Sequence, residues 1–410
     1  MRDISALAGE RLAEMKVLVI NAGSSSIKYQ LFDMPAGSVP AKGMIERIGE
    51  AQSQLTHKYN GKTHSAAVVA KDHEQGMQVI LKTLADPTIG VVKTVSEIHS
   101  VGHRVVHGGE EFTDSVIINN HVVDSIKRFA DLAPLHNPPN LTGIEAAMHA
   151  LPEAVQVACF DTAFHTTIPP VAYIYGLPYD IYEKYRVRRY GFHGTSHRFV
   201  ARRCVSLVGV DKTKANIITC HLGNGCSITA VREGKSVDTS MGLTPLEGVV
   251  MGTRCGDIDP AILFYLGDKG YDMKKLNAMC NKQSGLLGIS GASNDMRNLL
   301  ELSDKGNERA KLAIDIFNYR IRKYVGTYTA VLGRLDAVVF TGGIGENNAF
   351  IRSEVCAGQS QIGIDVCNQR NTAAEPRERL ISKDDSRVKV YVIPTDEERA
   401  IAGDTYELAK

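Results

Sequence analysis

Residues 15–33 read MKVLVINAGSSSIKYQLFD, and residues 217–231 read IITCHLGNGCSITAV. In the first stretch, Val17–Ile20 is an unbroken apolar run, the pattern of a strand buried on both faces. Asn21–Ser26 is a turn of small residues with three hydroxyls and one glycine. Ile27–Asp33 then alternates, with Ile27, Tyr29 and Leu31 on one face and Lys28 and Gln30 on the other. Gly23 lets a ligand approach the backbone. Ser24, Ser25 and Ser26 add hydroxyls beside backbone N–H groups, a concavity suited to phosphate oxygens, and Lys28 adds a point charge. An ordinary hairpin with a soluble tip explains this stretch equally well. The second stretch repeats the pattern: Gly23 matches Gly223, Ser26 matches Ser227 and Ile27 matches Ile228, with one residue inserted in the second turn. Two strand–turn–strand copies predict two similar halves, each presenting one turn to a phosphate chain.

At 410 residues the chain is long enough for two domains. Its apolar content of 43% and charged content of 23% are those of a globular protein, and a net charge of +1 draws it to no nucleic acid. Arg186, Arg188 and Arg189, followed by Arg198, Arg202 and Arg203, read as a solvated face, with a phosphate role for part of the cluster as the alternative. The eight cysteines form no C-x-x-C and no zinc spacing, which suits reduced thiols in the cytoplasm. No apolar run is long enough for a membrane helix. The lead, residues 1–14, mixes charges and has no apolar segment of a signal peptide. It reads as a weak helix, a disordered lead or the product of an upstream start, with Met15 the working start.

The remaining segments supply candidate site residues. Val101–His107 reads as a strand that brings His103, Arg104 and His107 near its end. Leu135–Asn140 reads as a stiff loop because of its two prolines, followed by a helix over 141–150. Val155–Phe160 is a buried strand ending at Asp161, a position where α/β proteins place site residues but where a turn cap also fits. Phe164–Pro170 reads as a second stiff loop. Gly191 and Gly194 frame Phe192 and His193, and Thr195 or Ser196 can cap a helix over 198–208. Arg254, between Gly252 and Gly256, is the marked charge of the long loop 239–260. Ser290–Arg297 is a loop entering a helix, and 308–332 is the longest helix, its apolar stripe serving the core or a subunit interface. The strand 336–341 runs into GGIGENN at 342–348, a glycine turn that offers backbone N–H groups to a nucleotide but lacks the third glycine of a Rossmann fingerprint. Val388–Ile393 is a strand, and Thr395 with Glu398 has the spacing of a capping box.

The duplicated hairpins and the late strand–glycine–helix site resemble the actin-like ATPase superfamily. Seven ordered motifs narrow this to the acetate kinase family: NAGSSSIK at 21–28, GHRVVHGG at 102–109, FDTAFH at 160–165, YGFHGTSH at 190–197, HLGNG at 221–225, MGTRCGDIDP at 251–260 and TGGIGEN at 341–347. The resemblance implies an α/β fold of two actin-like, ribonuclease H-like domains with a nucleotide cleft between them. It implies domains at 15–162, completed by a helix at 395–410, and at 163–394, and a homodimer formed through the second. The implied reaction is reversible transfer of the ATP γ-phosphoryl group to acetate, giving ADP and acetyl phosphate, with Mg²⁺, or Mn²⁺ in its place.

By the same resemblance Asp161, His193 and Arg254 surround the transferring group, and Arg104 holds the substrate carboxylate. Val106, Leu135, Phe192 and Pro245 form the methyl pocket. Lys28, His221, Leu222, Gly223, Asn224, Gly225, Asp295, Met296, Arg297, Gly343, Ile344, Gly345, Glu346 and Asn347 lie along ATP, and Asn21 and Glu397 lie near the metal. The residue types suit the chemistry, because attack of a carboxylate on ATP brings two anions together. A transition-state arginine is worth about 10³–10⁵ in rate. Acetate is already ionised at neutral pH, so Asp161 has no proton to remove and is expected to orient metal-bound water or Arg254. The alternatives are a kinase for propionate or another short acid, and a non-metabolic actin-like ATPase.

Overall fold

The computed structural model describes residues 14–211, 213–373 and 378–410. Residues 1–13 of the expected lead lie outside them. The chain divides into two compact units, one from the described part of Met1–Ala163 with Asp396–Lys410, the other from Phe164–Thr395.

The first unit is built on eight strands, β1 (Met15–Ala22), β2 (Ser26–Met34), β3 (Ser38–Glu46), β4 (Ser53–Tyr59), β5 (Lys62–Val68), β6 (Ile98–Val105), β7 (Val116–Ile117) and β8 (Val155–Phe160). They form one sheet in the order β5-β4-β3-β2-β1-β6-β8-β7. β1 pairs antiparallel with β2 and parallel with β6, which pairs parallel with β8. The apolar run of β1 is buried on both faces for a visible reason. Leu18 and Ile20, with Ile27, Tyr29 and Leu31 of β2, pack under the helices His73–Leu84 and Asn137–Ala150. Val17 and Val19, with Phe32, pack against Ile401 and Ala402 of the helix Glu397–Ala409. Each fully buried aliphatic side chain of this kind contributes roughly 1.5–3 kcal/mol of transfer free energy. The return of the chain's last helix to β1 therefore completes this core.

The second unit carries β9 (Asn216–Leu222), β10 (Cys226–Arg232), β11 (Lys235–Thr239), β12 (Ala337–Thr341), β13 (Arg379–Leu380) and β14 (Lys389–Val392), in the order β11-β10-β9-β12-β14-β13. Its segment β11-β10-β9-β12-β14 repeats β3-β2-β1-β6-β8 strand for strand, including the antiparallel hairpin and the parallel partners. The helix Glu308–Leu332 buries Phe317, Ile321, Val325 and Tyr328 against β10, so most of its apolar stripe is core.

Several local expectations change. The last pair of the first hairpin is Ala22 with Ile27, and that of the second is Leu222 with Cys226. The second turn is therefore shorter by one residue, and Lys28, opposite Asn21, corresponds to Ser227, opposite His221. Pro138 and Pro139 do not exclude helix; they lie in the first turn of Asn137–Ala150, where N–H groups have no intrahelical partner anyway. The stiff loop expected over Phe164–Pro170 is partly helical, because Ala163–Thr167 forms a 3₁₀ turn and Pro170–Tyr173 a short helix. Thr195 and Ser196 are not caps but lie inside the helix Gly194–Val208, whose N-cap is His193. Asp396, not Thr395, caps the last helix by accepting from the Arg399 N–H. The arginine cluster is not one solvated face: Arg188 is buried with its guanidinium 3.5 Å from the Tyr173 ring centroid, and Arg189 pairs with Glu247 at 2.6 Å. No helix among the described residues is long and apolar enough to cross a membrane.

Candidate active site

In the first unit the parallel pairing of β6 and β8 brings Arg104 beside the end of β8, where Asp161 is buried. The Arg104 guanidinium donates to the Asp161 carboxylate, and its Nε stands 3.9 Å from Glu397 in the first turn of the last helix. That Nε is buried without a hydrogen-bond partner. Burial opposes the charge of Arg104, but Asp161 and Glu397 more than offset it, so the guanidinium stays cationic. One guanidinium does not neutralise both acids. Burial, then the Asp161 charge, push Glu397 up to about 7, against the partial relief from Arg104 and Lys28.

This is an oxygen donor set with excess negative charge, and it fits a hard divalent cation. Among the described residues no three His, Cys, Asp or Glu side chains gather into a metal cage. Mg²⁺ needs none, because it keeps several waters and is held by one or two carboxylates plus substrate phosphates. Asn21 lines a cavity of about 530 Å³ on the same sheet, with Lys28, Lys42, Thr56, Lys58 and Glu398. Its three ammonium groups face it from β2, β3 and β4. Val106 is buried, its N–H held by Asn140 Oδ1 at 3.1 Å, while Asn140 Nδ2 donates to the Ala22 carbonyl at 2.7 Å. Leu135, in contrast, is 74% exposed.

In the second unit His193 sits at φ 55°, the left-handed conformation, immediately before its helix. Such a conformation costs a non-glycine residue of order ~1–3 kcal/mol and persists where the surroundings enforce it. Here His193 Nδ1 is 2.8 Å from Ser227 Oγ, and its ring stacks on His221 with centroids 4.2 Å apart. His221 Nδ1 in turn meets Ser196 Oγ at 2.8 Å. Phe192 is buried beside it. Arg254 donates to the Pro245 carbonyl at 3.0 Å, and burial lowers its pKa from the usual guanidinium value. His193 and Arg254 converge at Gly225: a Cβ there would lie 3.5 Å from His193 Nε2 and 3.4 Å from Arg254 Nη1. The backbone of the turn Gly223–Gly225 is thus bare where these two cationic or donor groups meet.

The other nucleotide candidates surround this turn unevenly. The Asn224 carbonyl accepts from Gly252 at 3.0 Å, and its side chain accepts from Asn294 at 3.1 Å. Leu222 is buried at the end of β9. Asp295 caps the helix Met296–Asp304 and is held at about 2 by its hydrogen bonds to Arg297. Arg297 is largely exposed and Met296 is buried. The glycine segment is already helical from Gly342 to Asn347. Gly343 and Asn347 are exposed, Ile344 is half-buried and Gly345 is buried. Glu346 Oε1 accepts from the Gly342 N–H at 2.9 Å and the Thr395 N–H at 3.1 Å. That oxygen clamps the strand–helix junction. Arg352 completes it from beneath, fully buried and donating to the carbonyls of Gly345 and Glu346.

Sequence reasoning assigned no supporting role to Arg352, Asn140, Ser227, His197 or Arg189, although Ser227 stood in the hairpin match and Arg189 in the arginine cluster. Arg189 donates to the carbonyls of Thr239 and Met241 and so fixes the start of the loop that carries Arg254. Only its place in the motif at 190–197 could have flagged His197; Asn140 lies outside the quoted motifs, and Arg352 carried no signal.

This geometry has relatives. Residues 16–403 match the model of the Acetokinase family. An acetate kinase of Halothermothrix orenii is 52% identical over 398 residues, covering 97% of this chain and 100% of the relative. The crystal structure of Porphyromonas gingivalis acetate kinase superposes with a TM-score of 0.94 at 46% identity, covering 97% of this chain and 100% of that one. A propionate kinase from Francisella tularensis superposes with a TM-score of 0.89 at 42% identity, covering 96% and 100%. With two matching sheets, a carboxylate–guanidinium cluster in one unit and a histidine–arginine turn in the other, the chain belongs to the Acetokinase family.

Proposed function

We propose that this chain is a phosphotransferase that moves the γ-phosphoryl group of ATP to acetate, reversibly, giving ADP and acetyl phosphate. The observation that carries the reading is the placement of Arg104: a guanidinium kept charged by Asp161 and Glu397, beside buried Val106. A small carboxylate with an apolar tail is the ligand such a neighbourhood suits. Arg104 binds and orients the nucleophile. His193 and Arg254 stabilise the charge on the transferring group as donors at the Gly225 turn. Asp161 accepts from Arg104 and holds its direction; no proton transfer is needed from an ionised acid. Asn21 and Glu397, with Asp161, are the residues that would hold Mg²⁺. When bound, the ion supplies charge neutralisation of the β- and γ-phosphate oxygens. Lys28, the turn 221–225, 295–297 and 343–347 are assigned to the nucleotide.

Propionate is the second reading. One methylene in an apolar pocket is worth only about 1–3 kcal/mol, and a propionate kinase is among the relatives. Acyl phosphate formation, trapped as hydroxamate with MgATP and acetate, propionate or butyrate, decides the matter. The reading expects acetate to give the highest kcat/KM. ATP hydrolysis without acyl phosphate would instead assign the chain to the actin-like ATPases without a metabolic acceptor.

The proposal extends to assembly and location. The helix Ala261–Asp268, sequence AILFYLGD, buries none of its side chains; Phe264 is 75% exposed and Tyr265 62%. We assign this face, rather than Glu308–Leu332, to a second copy of the chain. A monomeric mass by light scattering would remove that assignment. All eight cysteines are free thiols, which suits the cytoplasm.

A further inference from the structure

Behind His193 runs a chain of hydrogen bonds that the reaction itself does not touch. Ser227 Oγ lies 2.8 Å from His193 Nδ1 and 2.7 Å from His197 Nε2. The other nitrogen of His197, Nδ1, lies 2.7 Å from Thr219 Oγ1. Thr219 comes from β9, Ser227 from β10 and His197 from the helix Gly194–Val208, and all three are fully buried. Each link has two conceivable proton directions, but the links are not independent.

We propose that Thr219, His197 and Ser227 are positioning residues that hold His193 with Nδ1 accepting and its ring proton on Nε2, aiming a hydrogen-bond donor at the transferring phosphoryl group. The direction follows from counting protons. His197 is the one side-chain partner of the Thr219 hydroxyl among the described residues. A buried O–H proton with no acceptor is costlier than an under-used lone pair, so Thr219 donates to His197 Nδ1. Burial, with His165 and His221 nearby, keeps His197 uncharged, so it has a single ring proton. That proton must sit on Nε2, where it is donated to Ser227 Oγ. The Ser227 proton is left for His193 Nδ1, which therefore accepts. A neutral His193 then carries its own proton on Nε2. The opposite polarity would strand the Thr219 proton in a buried site.

Titratable groups near the relay include His165, whose ring centroid is 5.8 Å from that of His197, His221, 6.2 Å from His197 and stacked on His193, and Arg254 at Gly225. With the other tautomer, Nε2 would present a lone pair beside Arg254 and repel phosphoryl oxygens. The relay thus converts a buried threonine, two residues removed from the histidine, into a determinant of its donor geometry.

The inference rests on the assignment of His193 to phosphoryl stabilisation, but its decisive measurement does not. Ring ¹H–¹⁵N correlation spectra of the full-length, substrate-free protein, with His193 assigned by comparison with His193→Gln, report the tautomer directly. The wild type is expected to show a proton-bearing Nε2 and an unprotonated Nδ1 for His193. Thr219→Val keeps shape but removes the first donor. It is expected to mix or invert the His193 tautomer and to lower kcat about tenfold, with KM for ATP and acetate within about twofold. Thr219→Ser should restore both. A wild-type His193 with its proton on Nδ1 overturns the proposal, whether or not the variants fold. So does a Thr219→Val protein with unchanged tautomer and kcat. Absence of acyl-phosphate chemistry with the predicted tautomer present would instead count against the proposed function alone.

Discussion

The hairpins β1–β2 and β9–β10 occupy the same place in two sheets of the same strand order, yet their tips carry different chemistry. The first offers Asn21 and Lys28 and stands on the same sheet as the Arg104, Asp161 and Glu397 cluster. The second offers a bare Gly223–Gly225 backbone with His193 and Arg254 against it, and a buried serine–histidine–threonine relay behind. The five-stranded scaffold is what was duplicated; charge was not. One unit concentrates carboxylates that call for a cation, and the other concentrates neutral donors and one guanidinium suited to phosphate.

That contrast has its largest consequence in pH dependence. In the second unit His165 is held at about 4 by burial, and burial holds His197 well below the usual histidine range. Below the unfolded value of about 6.5 the unfolded chain binds protons that these do not, so stability falls by about 1.4 kcal/mol per pH unit for each histidine. His103 in the first unit, also at about 4, acts in the same sense. There Glu397, raised to about 7, acts in the opposite one: between pH 7 and 4.5 the folded unit binds the extra proton and gains stability. In the metal-free protein, acidification from pH 7 to 5 should therefore lower hydrogen-exchange protection in β9 and β12 far more than in β1 and β6. Equal losses would break the comparison. Adding Mg²⁺ should lower the Glu397 pKa and narrow the difference.

Carboxylate removal should divide the units next. Asp161→Ala leaves half-buried Arg104 without its main partner and should cost about 3 kcal/mol, the low end for a buried pair, in unfolding free energy by denaturant titration. Asp295→Ala removes an exposed pair and a cap and should cost about 1 kcal/mol. A smaller effect separates two neighbouring glycines. Gly342 has φ +76°, and a Cβ there would meet the Leu222 backbone at 2.8 Å, whereas nothing lies within 4 Å of one at Gly343. Gly342→Ala should lose roughly 1–3 kcal/mol and raise KM for ATP, while Gly343→Ala should leave the melting temperature unchanged. The smallest is Leu135→Ala, expected to change stability by about 0.5 kcal/mol or less.

The strands were legible because an apolar run and an alternating run carry their periods in plain sequence; β1, β2, β9 and β10 stand where the pattern put them. The hairpin offset was not, since pairing Ala22 with Ile27 but Leu222 with Cys226 is decided by turn closure. Pro138 and Pro139 misled because a proline bans a helix interior, not its first turn. Most of the candidate site residues were visible as motif residues, Leu135, Pro245, Asp295, Met296, Arg297 and Glu397 excepted. Their supports were not: Arg352 acts on carbonyls seven and six residues earlier, and Arg189 on a loop fifty residues away, and neither contact has a local signature.

The central claim is a division of labour: Arg104 recognises the carboxylate, and Arg254 stabilises the group in flight. Steady-state acyl-phosphate formation by Arg104→Ala and Arg254→Ala tests it most directly. The account predicts a KM for acetate raised at least about tenfold in the first, and a kcat lowered about 10³-fold or more in the second. Wild-type kcat/KM for acetate in either variant would contradict it.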